Sequence, residues 1–138
     1  MIDADEARLS PFGGHRRALA VSTMAGMIRV GDDAFTIEVA VRGVDASLAL
    51  LGELDVASAS RLRAVVGAII DVPGILQVRV DGRGIDFVDS AGLRGLLLAR
   101  ADTKRAGVSW SLEAASPAVR RLLDLAGSPD LLSDRAVN

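Results

Sequence analysis

Apolar residues at Phe35, Ile37, Val39 and Val41 alternate with Thr36, Glu38, Ala40 and Arg42, the period of two that lays one face of a strand on a core. Gly43-Val44-Asp45 supplies a turn, and Ala46 to Leu51 forms a second, more continuously apolar strand suited to the middle of a sheet. The period then changes to that of a helix. Leu62, Val65, Val66, Ile69 and Ile70 make an apolar stripe behind a capping Asp55, with Arg61 and Arg63 on the outer face, until Asp71-Val72-Pro73-Gly74 ends it. A strand over Ile75 to Val80 leads into a loop, Asp81 to Asp86. A second helix begins near Ala91, carries Leu93, Leu96, Leu97 and Ala101, and stops at Lys104, Arg105 and Gly107. Val108, Trp110 and Leu112 alternate as a further strand, and Ser116-Pro117 opens a last helix with Val119, Leu122, Leu123 and Ala126.

This order of elements predicts an α/β fold: a small, mixed, mostly parallel sheet of about four strands with helices mainly on one face. Right-handed crossovers set the side on which the helices lie, and the first hairpin supplies an antiparallel edge. Residues 1–33 lack a clean period and read as a partly flexible N-terminal extension, residues 34–133 as the domain, and residues 134–138 as a tail. Residues 1 to about 30 are therefore expected to be dispensable, although Met24, Met27, Ile28 and Val30 are suited to cover a sheet edge or to support a weak homodimer.

Composition narrows the function. With 138 residues, half of them hydrophobic, the chain is sized for one core. A net charge of -2 speaks against nucleic acid as a partner, because phosphate neutralisation calls for a clustered basic surface. Without cysteine there is neither a disulfide framework nor a thiolate metal site. The longest apolar stretches fall far short of the ~20 residues that span a bilayer, so membrane insertion is not expected and the cytoplasm is the expected compartment. His15, the single histidine, stands without a second histidine or a cysteine near it and reads as solvated. Gly13-Gly14-His15-Arg16-Arg17 and Gly82-Arg83-Gly84 lack a full phosphate-loop pattern and read as turns. No cofactor, metal or catalytic residue is expected, and an enzyme is not.

The richest segment is Phe87-Val88-Asp89-Ser90-Ala91-Gly92-Leu93, where a strand hands over to a helix. It sets a hydroxyl near a helix N-terminus, where unpaired N–H groups and the helix dipole favour oxygen ligands or an attached phosphate. Asp55 and Asp89 both fall just past strands that should be parallel neighbours, at the edge where open α/β sheets carry their sites. With Ser90 they can form an acidic, hydroxylic surface for a basic partner groove, which Asp81 and Asp86 would extend. On the residues alone, Ser90 or Asp89 serves equally well as a simple helix cap.

Asp89-Ser90-Ala91-Gly92-Leu93, taken with Gly52-Glu53-Leu54-Asp55 and then Ala59, Leu62 and Arg63, resembles a STAS domain, the sulfate transporter and anti-sigma factor antagonist domain. The likeness runs from about Phe35 to about Leu132 and is strongest to the stand-alone anti-anti-sigma factors. The resemblance implies that Ser90 is phosphorylated by an anti-sigma factor that is also a serine kinase, and that a PP2C-like phosphatase reverses the change. It further implies that Asp55, Asp89, Ser90, Ala91, Gly92 and Arg94 meet the partner. Ala91 stands where the family often has a second hydroxyl. The alternative is an accessory subunit of a lipid-transport ABC ATPase, in which the same loop docks without phosphorylation.

Overall fold

The computed structural model describes residues 20–24 and 26–127. Its strands are β1 (Ala20–Met24), β2 (Met27–Gly31), β3 (Phe35–Arg42), β4 (Asp45–Leu54), β5 (Gln77–Val88) and β6 (Ser109–Ala115). Its helices are α1 (Val56–Ile70), α2 (Ser90–Arg105) and α3 (Pro117–Leu125). The strands form one sheet in sequence order, antiparallel from β1 to β4 and parallel from β4 to β6. The α/β class and the mixed sheet are as the sequence predicts.

Alternation dictates where the core lies. Phe35, Ile37 and Val39 are buried, as are their cross-strand neighbours Leu48 and Leu50, and Val78, Val80 and Trp110 continue the same face. The apolar stripes of the helices close over it through Leu62, Val66, Leu96, Ala99, Val119 and Leu123. The opposite face carries Thr36, Glu38, Ser47, Arg79 and Glu113, with Arg79 3.6 Å from Asp45 and 3.5 Å from Glu113. Exposed pairs of this kind add little stability.

The sheet has six strands rather than about four, because part of the expected extension belongs to it. β1 and β2 form a hairpin whose second strand pairs with β3, Val30 opposite Ile37 and Ile28 opposite Val39. Residues 20–24 and 27–31 are thus strands of the sheet, and β3 is an internal strand instead of the antiparallel edge. The weak period has a physical reason: the hairpin overhangs the core, so Val21 and Ile28 stay exposed and no strict burial pattern is imposed. Residues 1–19 and the tail 134–138 lie outside the described residues, as does His15.

Two further expectations are corrected. Asp81 to Asp86 is no loop, since β5 runs unbroken from Gln77 to Val88 and absorbs the Asp-Gly-Arg-Gly segment as irregularities in its pairing with β4. Arg61 does not point into solvent. Its side chain is 16% exposed and reaches Asp32, itself 4% exposed, at 3.3 Å. Asp32 also accepts from the backbone N–H groups of Ala34 and Phe35, so the β2–β3 turn is tied to α1. Arg63 does face outward, where it holds Asp102 of α2 through two bonds of 2.9 Å.

Candidate functional site

β4 and β5 end side by side, Leu54 opposite Val88, and each is followed by an aspartate that caps a helix. The N–H of Asp89 donates to the Leu54 carbonyl at 3.4 Å, so the two junctions form a single surface. Asp55, Asp89 and Ser90 are brought together here, as expected.

The approach to the first cap depends on Gly52, whose φ is 109°. A Cβ at that position would also lie 2.1 Å from the Ala34 carbonyl oxygen. That carbonyl accepts from the N–H of Glu53 at 2.8 Å, so glycine is required where β4 passes the start of β3. Asp55 then accepts from the N–H groups of Ala57 and Ser58, both at 3.1 Å. Ser58 completes a reciprocal cap: its hydroxyl accepts from the N–H of Asp55 at 2.8 Å and donates to the Glu53 carbonyl at 2.7 Å. Hydrogen bonding, led by the Ser58 N–H, holds the Asp55 carboxyl below the usual carboxylate range against the opposing effect of partial burial. Ser58 is buried, and the serine three residues after Asp55 is the sequence signal that would have revealed its part in the cap.

The second cap is built differently. The Asp89 carboxylate accepts from the N–H of Gly92 at 2.8 Å. Gly92 is buried, and a Cβ there would lie 2.0 Å from the Leu54 carbonyl oxygen. Glycine therefore lets the first turn of α2 sit directly on the end of β4. One turn on, a Cβ at Gly95 would meet the Cβ of Ala59 at 2.3 Å, which brings α1 and α2 equally close. Gly92 is thus below the surface, whereas Ser90, Ala91 and Arg94 are exposed on it.

Ser90 is the first residue of α2, and its hydroxyl makes no hydrogen bond among the described residues. The helix dipole and the free N–H groups of the first turn can accept negative charge at this position. Of the other hydroxyls on the two helices, Ser58 and Thr103 are buried with their hydroxyls engaged, Thr103 on the Arg100 carbonyl at 2.8 Å, whereas Ser60 is exposed like Ser90. Asp86 is exposed close to the site. Asp81 is not part of it: it lies in mid-sheet, opposite Ala49 and Ala114, and binds the Arg83 guanidinium at 2.8 and 3.1 Å. That contact holds its carboxyl below the usual range. No cluster of metal-ligating side chains occurs among the described residues. No helix among them is long and apolar enough to cross a membrane.

Sequence reasoning missed the apolar surroundings of the site. Val56, Phe87 and Leu125 are large apolar side chains left exposed at this end of the molecule. Phe87 lies inside the very motif that drew attention to Ser90, but period alone does not say which apolar residue of a strand end stays uncovered.

A small sheet covered on one face, with two capped helix starts side by side and an exposed serine on one of them, defines a domain of the α/β class. The STAS domain model matches residues 36–135, most of the chain, and the protein belongs to the STAS domain family. The fold is similar to that of the anti-sigma factor antagonist SpoIIAA in its unphosphorylated form, with a TM-score of 0.58 and 21% identity over 75% of this chain and 92% of that one. It is also similar to an anti-sigma factor antagonist from Mycobacterium paratuberculosis, with a TM-score of 0.58 and 24% identity over 69% of this chain and 80% of that one. The phosphorylated form of the Bacillus cell fate determinant SpoIIAA gives a TM-score of 0.54 and 23% identity over 68% of this chain and 84% of that one.

Proposed function

We propose that this protein is an anti-sigma factor antagonist that captures an anti-sigma factor while Ser90 is unmodified and releases it when Ser90 is phosphorylated. The observation that carries the reading is the exposed, unengaged hydroxyl of Ser90 at the start of α2, beside the capping carboxylate of Asp89. A binding role without catalysis fits a site built from helix caps, and membership of the STAS family together with the antagonists of similar fold supports the partner class. In this reading the anti-sigma factor is the serine kinase, a PP2C-like phosphatase restores the hydroxyl, and the exchange takes place in the cytoplasm. The accessory-subunit reading has no comparable support.

Release needs no refolding. A phosphate adds about -1.5 to -2 charge at neutral pH, and the helix N-terminus tolerates it while a partner interface does not. Desolvation and repulsion by Asp89 that together cost ~3 kcal/mol weaken binding by more than a hundredfold. Arg94, Ala91 and Asp55 belong to the contact surface in this reading, and Gly92 acts beneath it by seating the helix.

Incubation with the purified anti-sigma kinase and ATP, followed by mass mapping, tests the assignment. Phosphate is expected on Ser90 alone. Phosphate on Ser60, the exposed alternative on α1, with Ser90 untouched would refute it.

A further inference from the structure

The last helix does not simply cover the strand that precedes it. α3 follows β6 in sequence but packs chiefly on β5, the strand that ends at the serine loop. The end of β5 and α3 enclose a groove of about 260 Å³ walled by Phe87, Val88, Ala118, Leu122 and Leu125. Phe87 is 48% exposed and Leu125 77%, so the groove leaves an aromatic ring and a leucine in water three residues upstream of Ser90 and at the end of α3. Apolar area of this kind gains from being taken out of water, and aromatic anchors are the usual centres of interfaces. Arg121 and Asp86 line the same groove, one basic and one acidic group, and neither makes an ion pair among the described residues.

We infer that this groove is a second recognition element for the same anti-sigma factor and receives an amphipathic segment with an apolar side chain for the Phe87–Leu125 cleft and a carboxylate for Arg121. The inference rests on the antagonist reading above. Two features select this occupant. The groove is continuous with the serine loop, because Phe87 and Val88 lead directly into Asp89 and Ser90. The charges also differ along the surface: Asp55 and Asp89 cap the serine side, where Arg94 is exposed, while α3 presents Arg120 and Arg121 together with Asp124, and Asp86 lines the groove with Arg121. A partner that meets both ends sets basic groups against the capping carboxylates and an apolar side chain with one carboxylate against the Phe87–Leu125 cleft and Arg121, which fixes its orientation. The groove then supplies affinity and partner choice, and the serine supplies control.

Titration calorimetry on the full chain tests this, with the purified anti-sigma factor whose capture Ser90→Asp abolishes as the probe. Leu125→Ala changes a mostly exposed side chain and should leave the melting temperature in place while weakening binding about tenfold. Phe87→Ala and Arg121→Glu should each weaken it by at least that much. If all three variants bind like the unmodified chain while Ser90→Asp still releases, the groove inference fails and the antagonist reading survives. If no anti-sigma factor binds the unmodified chain, both fall. A change in the light-scattering mass of the chain alone on Leu125→Ala, with partner affinity unaltered, would assign the groove to a second copy and also overturn the inference.

Discussion

The two helix starts at the edge of the sheet begin alike and end differently. Asp55 opens α1 and Asp89 opens α2, each at the end of a parallel strand. On α1 the serine stands three residues after the cap, where its hydroxyl closes the reciprocal bond and is buried. On α2 the serine stands one residue after the cap, where geometry offers it no return bond, and the third position is taken by Gly92. The same residue type is thus part of the fold at one start and available for chemistry at the other. Position relative to the cap decides which, by deciding whether the hydroxyl is already engaged.

The comparison can be broken most severely at Gly92. Gly92→Ala places a methyl group against the Leu54 carbonyl and should cost about 3 kcal/mol, the upper range for overpacking, lowering the melting temperature by roughly 10 °C in calorimetry. A smaller loss would mean that α2 lifts off β4 easily and that the serine is not held rigidly.

Ser58→Ala sharpens the contrast. Loss of the hydroxyl leaves the Asp55 N–H and the Glu53 carbonyl without their partner, and a cost of about 1–2 kcal/mol is expected in denaturant unfolding.

The Asp55 cap also has a pH signature. Its carboxyl is lowered in the folded state, so its stabilisation is fully present above the ordinary carboxylate value near about 4 and is lost as pH falls through the lowered value. Urea midpoints measured from neutral to strongly acidic pH should show a loss on the order of 1 kcal/mol in that acid range, and Asp55→Asn should shrink it.

The smallest effect belongs to Ser90. Ser90→Ala should shift stability by under about 0.5 kcal/mol, because the hydroxyl supports nothing in the described fold. The gap between Ser58→Ala and Ser90→Ala measures how far the fold depends on one serine and not on the other.

Much of this was legible in the chain. Burial at every second residue of Phe35 to Val39 and the stripe Leu62, Val66, Ile69 write the core directly, and the caps Asp55, Ser116 and Pro117 mark helix starts through local bonds that sequence spacing reveals. The β1–β2 hairpin was not legible, because a ribbon overhanging the core is held by backbone bonds that no side-chain period records. β5 was cut short for a related reason: Asp81-Gly82-Arg83-Gly84 has the composition of a turn, yet its neighbours on both sides keep it in the sheet. Arg61 was misread since its partner Asp32 lies far off in sequence. At the site, the motif pointed to Ser90 and Asp89, while the exposed Phe87 and Leu125 emerged only when α3 was seen to settle on β5.

The central claim is that charge at Ser90, and not a change of fold, governs partner capture. Its most direct measurement is the affinity of Ser90→Ala and Ser90→Asp for the purified anti-sigma factor, by titration calorimetry with matched melting curves. The account predicts two folded proteins of nearly equal stability, with the alanine variant binding at least as tightly as the unmodified chain and the aspartate variant more than tenfold more weakly, in line with a loss above ~1.4 kcal/mol. Equal affinities in two equally folded variants would contradict it.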